Sequence, residues 1–137
     1  YEHEKGTDQV SEGSVTAITA NISSGDFDIA QQRSAFGQST GVANFRGDGE
    51  HIMKIRRFVP DFLSQTGNAQ VTLNLRNYSN DAQASSPLGP FTITSSTSKV
   101  DTRARARAIS LKVENTGASQ TWKLGTFKLD TQPDGRR

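Results

Sequence analysis

Arg103 to Leu129 reads RARARAISLKVENTGASQTWKLGTFKL, and the alternation inside it decides the fold class. Ile109, Leu111 and Val113 alternate with Ser110, Lys112 and Glu114, the period-2 pattern of a half-buried strand. Asn115 to Ser119 is small and polar, with Gly117 available for a turn. The return stretch sets Trp122, the chain's one tryptophan, on the same face as Leu124, whereas Phe127 and Leu129 have changed parity. A one-residue slip would expose those side chains, so the pattern predicts a β-bulge at Gly125. The expectation is a hairpin that anchors the core, with Trp122 sequestered.

Working outward, the clearest further strand is Val71, Leu73 and Leu75 alternating with Thr72, Asn74 and Arg76. His51 to Phe58 is a strand with Met53 and Ile55 on one face, interrupted by Arg56 and Arg57. Pro60 lacks a backbone N–H and restricts Val59, so the ladder must end there, and Thr66-Gly67-Asn68 is a turn. Val15 to Ile22 is expected to be one strand with Ile18, Ala20 and Ile22 inward, and Phe27 with Ile29 a short second one. Residues 80–90, with two prolines, read as a loop before a strand at Phe91 and Ile93. Pro133-Asp134-Gly135 reads as a closing turn. No helix of three turns can be drawn. The expectation is an antiparallel β-sandwich of roughly seven to eight strands.

Residues 1–14 carry little periodicity and read as a lead-in from a preceding domain, since the chain starts at Tyr1 and not at Met. Residues 15–137 are expected to form a single domain, interrupted by a long loop at 30–49 that is rich in glycine. With 32% apolar residues and abundant Ser, Thr, Asn and Gln, the composition suits sheets with one wet face. No apolar run approaches the roughly 20 residues of a membrane-spanning helix. Cysteine is absent, which excludes disulfides and thiolate chemistry.

Charge is divided along the chain. Residues 1–50 hold eight Asp/Glu against three Lys/Arg, and residues 51–137 hold six against thirteen. That polarity favours contacts with surfaces of opposite sign. Arg103, Arg105 and Arg107 alternate with alanines, so on a strand they project the same way about 6–7 Å apart. Three readings are open: a solvated face with local ion pairs, a subunit contact, or a polyanion site. No aromatic residue interleaves with them for base stacking, which argues against nucleic acid. The arginines also share parity with Ile109, Leu111 and Val113. One face therefore turns from charged to apolar unless a bulge intervenes.

Catalysis has little footing. His3 and His51 lie in unlike contexts, and no nucleophile with base and orienting group stands out. Asp26, Asp28, Asp48 and Glu50 lack EF-hand spacing, and Arg46-Gly47-Asp48 is ordinary turn chemistry. No cofactor and no metal site are expected.

Several segments together carry a resemblance. These are Met53–Phe62 (MKIRRFVPDF), Thr66-Gly67, Gly89–Ile93 (GPFTI), Arg103–Arg107 (RARAR), Trp122–Phe127 (WKLGTF) and Asp130–Arg137 (DTQPDGRR), with YEHE at 1–4 and GDFDI at 25–29 upstream. The chain resembles the C-terminal module of large virion structural proteins of tailed bacteriophages, of the tail-nozzle or tail-hub kind. The loop at 30–49 is longer than that pattern. The resemblance implies a non-enzymatic tail component made in the bacterial host cytoplasm. It would pack against copies of itself and other tail proteins, with no small-molecule substrate. The alternative is a receptor- or carbohydrate-binding sandwich on a phage tail, which would need an exposed aromatic platform.

Overall fold

The computed structural model describes residues 6, 8–28, 51–78 and 86–136. It is all-β, with eleven strands among the described residues: β1 (Asp8–Ser11), β2 (Ser14–Ala17), β3 (Asn21–Ser23), β4 (His51–Val59), β5 (Phe62–Thr66), β6 (Ala69–Arg76), β7 (Ser86–Ile93), β8 (Val100–Ala106), β9 (Ala108–Asn115), β10 (Thr121–Leu124) and β11 (Lys128–Arg136). They form four antiparallel sheets, ordered β3-β9-β6-β7, β11-β4-β8, β10-β5 and β1-β2. The expected loop at 30–49 lies outside the described residues. The count exceeds the expected seven to eight for two reasons: short ribbons form where loops were read, and one expected strand is split.

The two larger sheets feed one apolar cluster. Met53, Ile55 and Phe58 from β4 and Ala104 and Ala106 from β8 meet Ala69, Val71 and Leu73 from β6, Ile93 from β7 and Ile109, Leu111 and Val113 from β9. Eight of the larger side chains are sealed from water, and burying each such group contributes about 1.5–3 kcal/mol. In-register pairs Val71–Val113, Leu73–Leu111 and Leu75–Ile109 hold β6 to β9. Phe58 contacts Phe91 edge-on across the sheets, with ring centroids 5.3 Å apart, and stacks on Phe127 at 5.3 Å.

The parity conflict at the arginines resolves at a corner. β8 buries its even residues Ala104 and Ala106 in the three-stranded sheet, and β9 turns its odd apolar residues into the core from the four-stranded one, with Ser110 covered on the other face. Arg107 alone stands between them, and its N–H donates to the Arg76 carbonyl at 3.0 Å.

The expected hairpin between β9 and β10 does not form. β10 pairs with β5 instead, Trp122 opposite Gln65. Gln120 turns the chain aside, because its Oε1 accepts hydrogen bonds from Thr116 N (2.7 Å), Thr116 Oγ1 (2.9 Å) and Gly117 N (2.9 Å). Trp122 is half-buried and meets Phe62 edge-on at 6.3 Å, so the indole flanks the core and is not sealed in it. The register shift falls between Lys123 and Leu124, just before the expected position. Residues 80–90 are not all loop either. β7 begins at Ser86 and carries Pro87 and Pro90, which is tolerated because β7 is an edge strand. The stretch Pro133-Asp134-Gly135 lies within β11 as an irregularity, with Gly135 at φ +95°, and does not close the chain as a turn.

Residues 8–28 behave differently from the rest. Val15 to Ile22 is split between β2 and β3, and Val10, Val15, Ile18, Ile22 and Phe27 are all exposed. This segment is held by polar contacts. Asn115 Nδ2 donates to Ile18 O at 2.6 Å and its Oδ1 accepts from Ala20 N at 2.8 Å, while Ser24 N and Phe27 N donate to Leu111 O and Ile109 O. Replacing Asn115 by Ala should cost about 1–2 kcal/mol locally. It should appear as faster amide exchange at Asn21–Ser23 with β6 unaffected; equal acceleration at both would contradict this local role.

Candidate functional site

The outer face of the three-stranded sheet collects the basic residues. β4 buries His51, Met53 and Ile55, then Phe58, so its inward parity changes between Ile55 and Phe58. Register gives the cause. Ile55 and Arg57 face Ala104 and Asp101 on β8, where three steps match two, and face Thr131 and Asp130 on β11, where one step matches two. A bulge of this kind re-aims side chains while the flanking residues stay in the core. Arg56 is exposed and Arg57 half-buried beside it.

Lys54, Arg56, Arg57, Asp101, Thr102 and Arg103 line an open groove of about 660 Å3 over this bulge. Arg57 is the paired cation: its Nε lies 3.3 Å from Asp130 Oδ2 and 3.9 Å from Asp101 Oδ1. That Nε is itself shielded from water and makes no well-aligned hydrogen bond. Lys99 shares Asp101 at 3.6 Å. Among the described residues no carboxylate pairs with Lys54, Arg56 or Arg103. Lys54 also stands directly opposite Arg105 in register, a like-charge placement that the Asp134 carboxylate paired to Arg105 offsets.

The three arginines singled out by sequence therefore separate. Arg103 faces the groove. Arg105 is exposed but ion-paired to Asp134. Arg107 has left the strand, with its guanidinium 5.8 Å from the Tyr78 ring centre. Sequence reasoning missed Lys54, Arg56 and Arg57 as members of the site. The signal was there in the parity change from Met53 and Ile55 to Phe58, which marks a bulge at the Arg-Arg pair.

Chemically the groove offers guanidinium forks and an ammonium, suited to carboxylate or other anionic oxygens. Its lining includes no histidine, and its carboxylate, Asp101, sits among cations. A second depression, of about 300 Å3, is lined by Gly6, Ile18, Ala20, Asn115, Gln120, Thr121 and Trp122. Its two amide side chains are already engaged in the hydrogen bonds that hold residues 18–20 and the turn at 116–120. Among the described residues no group of three or more His, Asp or Glu could share a metal ion.

No protein-family model matches this sequence, and comparison with curated proteins and with solved structures returns no match.

Proposed function

We propose that this chain is a non-enzymatic structural module of a phage tail, a β-sandwich over residues 15–137 that packs against copies of itself and other virion proteins. The phage assignment rests on the sequence resemblance alone. The sandwich reading draws support from the single core shared by the two larger sheets. The observation that carries the packing role is the groove's set of cations, Lys54, Arg56 and Arg103, held on a sheet face without carboxylate partners among the described residues. Exposed cations left unmatched are suited to a protein surface of opposite sign, which they would select and orient.

Charge reversal is the test. Arg56→Glu combined with Arg103→Glu should leave the far-UV circular dichroism and the thermal midpoint of the chain in place, because both side chains are exposed. Association, followed by light scattering on a sizing column, should be lost. Unaltered association of the double variant would remove the groove from the interface. Arg105→Glu is a less clean probe, since it also breaks the ion pair with Asp134.

A carbohydrate- or receptor-binding role has one observation in its favour, the half-buried Trp122 in the second depression beside amide side chains. Asn115 is spent on the protein's own backbone and the Gln120 Oε1 on the turn at 116–117, which leaves the Gln120 Nε2 and the Thr121 hydroxyl as the polar groups beside the indole. Glycan-array binding that disappears with Trp122→Ala would favour this reading over the packing role.

A further inference from the structure

We propose that the basic groove is a socket for the β1–β2 hairpin of a second copy of the chain, with Glu12 entering beside Arg56 and Arg103. This rests on the packing role above and identifies the two surfaces that meet.

The hairpin is a projection without a core. Val10 and Val15 are direct cross-strand partners, 68% and 57% exposed, and a two-stranded ribbon is marginal by itself. It is tied down at its base, where Ser119 N and Oγ donate to the Asp8 carboxylate. At its tip Glu12 is exposed, at φ +49°, and has no partner among the described residues. No hairpin residue lines the groove of its own chain. The complement is one of sign: the hairpin, residues 8–17, carries Asp8 and Glu12 and no Lys or Arg, and the groove carries four cations against one carboxylate. A glutamate entering it would accept paired N–H donors from a guanidinium. Val10 and Val15 could then lie on the aliphatic stems of Lys54 and Arg56, which cover apolar surface well.

Hairpin and groove are different patches, so the contact is heterologous. It propagates head to tail, closing into a ring if the rotation permits and otherwise extending as a filament.

Sedimentation velocity on the full 137-residue chain tests this. Reversing the socket (Arg56→Glu with Arg103→Glu) or the projection (Glu12→Lys) should each weaken association about tenfold or more. Mixed in equal amounts, the neutral variants Arg56→Gln with Arg103→Gln and Glu12→Gln should stop at a one-to-one pair, because the intact hairpin of one fits the intact groove of the other and no reversed charges remain to pair with each other. Raising salt from about 0.05 to about 0.5 M should dissociate the unmodified chain, a readout that needs no variant to fold. If Glu12→Lys assembles like the parent, the hairpin is not the occupant, although packing through the groove stands. A parent chain that remains monomeric at every concentration and salt overturns both. A mixture that grows beyond the pair, or forms none, overturns the head-to-tail contact.

Discussion

Phe58→Ala should lower the free energy of unfolding by about 3–5 kcal/mol, the largest loss expected from truncating a sealed side chain among the described residues. Phe58 is fully sealed from water and sits where the layers meet, touching Phe91 of the four-stranded sheet and Phe127 in the segment before β11. Removing the ring deletes both aromatic contacts and leaves a void that two hydrogen-bonded sheets cannot close by local movement. Urea titration followed by tryptophan emission measures the effect, and with one tryptophan the signal has one source. Phe58→Leu should recover most of the loss, since it refills much of the volume. A loss under about 1 kcal/mol for the alanine variant would mean that the two sheets do not share a core.

Gly125→Ala is the second large effect, and it acts through the backbone. A Cβ at this position would stand 2.7 Å from the Asp61 carbonyl oxygen and 3.4 Å from Leu63 Cγ. The same carbonyl accepts the Gly125 N–H at 2.6 Å, so the two chains cannot part without breaking that bond. Overpacking against a fixed backbone should cost about 1–3 kcal/mol. The loss should be concentrated in the β5–β10 ribbon, where Trp122 sits opposite Gln65. The expected result is a red-shifted native emission maximum along with an earlier urea midpoint. Unchanged emission and midpoint would show that the ribbon yields freely at Gly125.

These two positions also show how far the sequence could be read. Strands with clean alternation, β6 at Val71–Leu75 and β9 at Ile109–Val113, were legible because a buried sheet face imposes a period of two. At Gly125 a bulge was expected; the register shift falls between Lys123 and Leu124, and the glycine instead makes room for the Asp61 carbonyl. Pairing was not legible. Nothing in the order of residues says that Thr121–Leu124 crosses to β5 and not back onto β9; the Gln120 side chain decides that through three hydrogen bonds in space. Prolines suggested a loop at 80–90 because sequence does not reveal which strand will be at an edge. Ile18, Ala20 and Ile22 suggested an inward face, yet β3 is also an edge, so even Ile22, in register with the sealed Val113, stays half-exposed. Of the candidate site, the arginine column pointed to the sheet face on which the groove lies, through Arg103 alone. Its other cations depend on the bulge between Ile55 and Phe58, which is visible only once inward and outward residues are tracked along β4.

The single-residue corner at Arg107 leaves no slack between the layers. Inserting or deleting one residue there would turn the inward set of one strand outward, while its neighbour stayed in phase. Length changes between these strands are therefore disfavoured, and a force applied along β8 is handed to β9 through one residue. The two layers are geared together and would yield as one body.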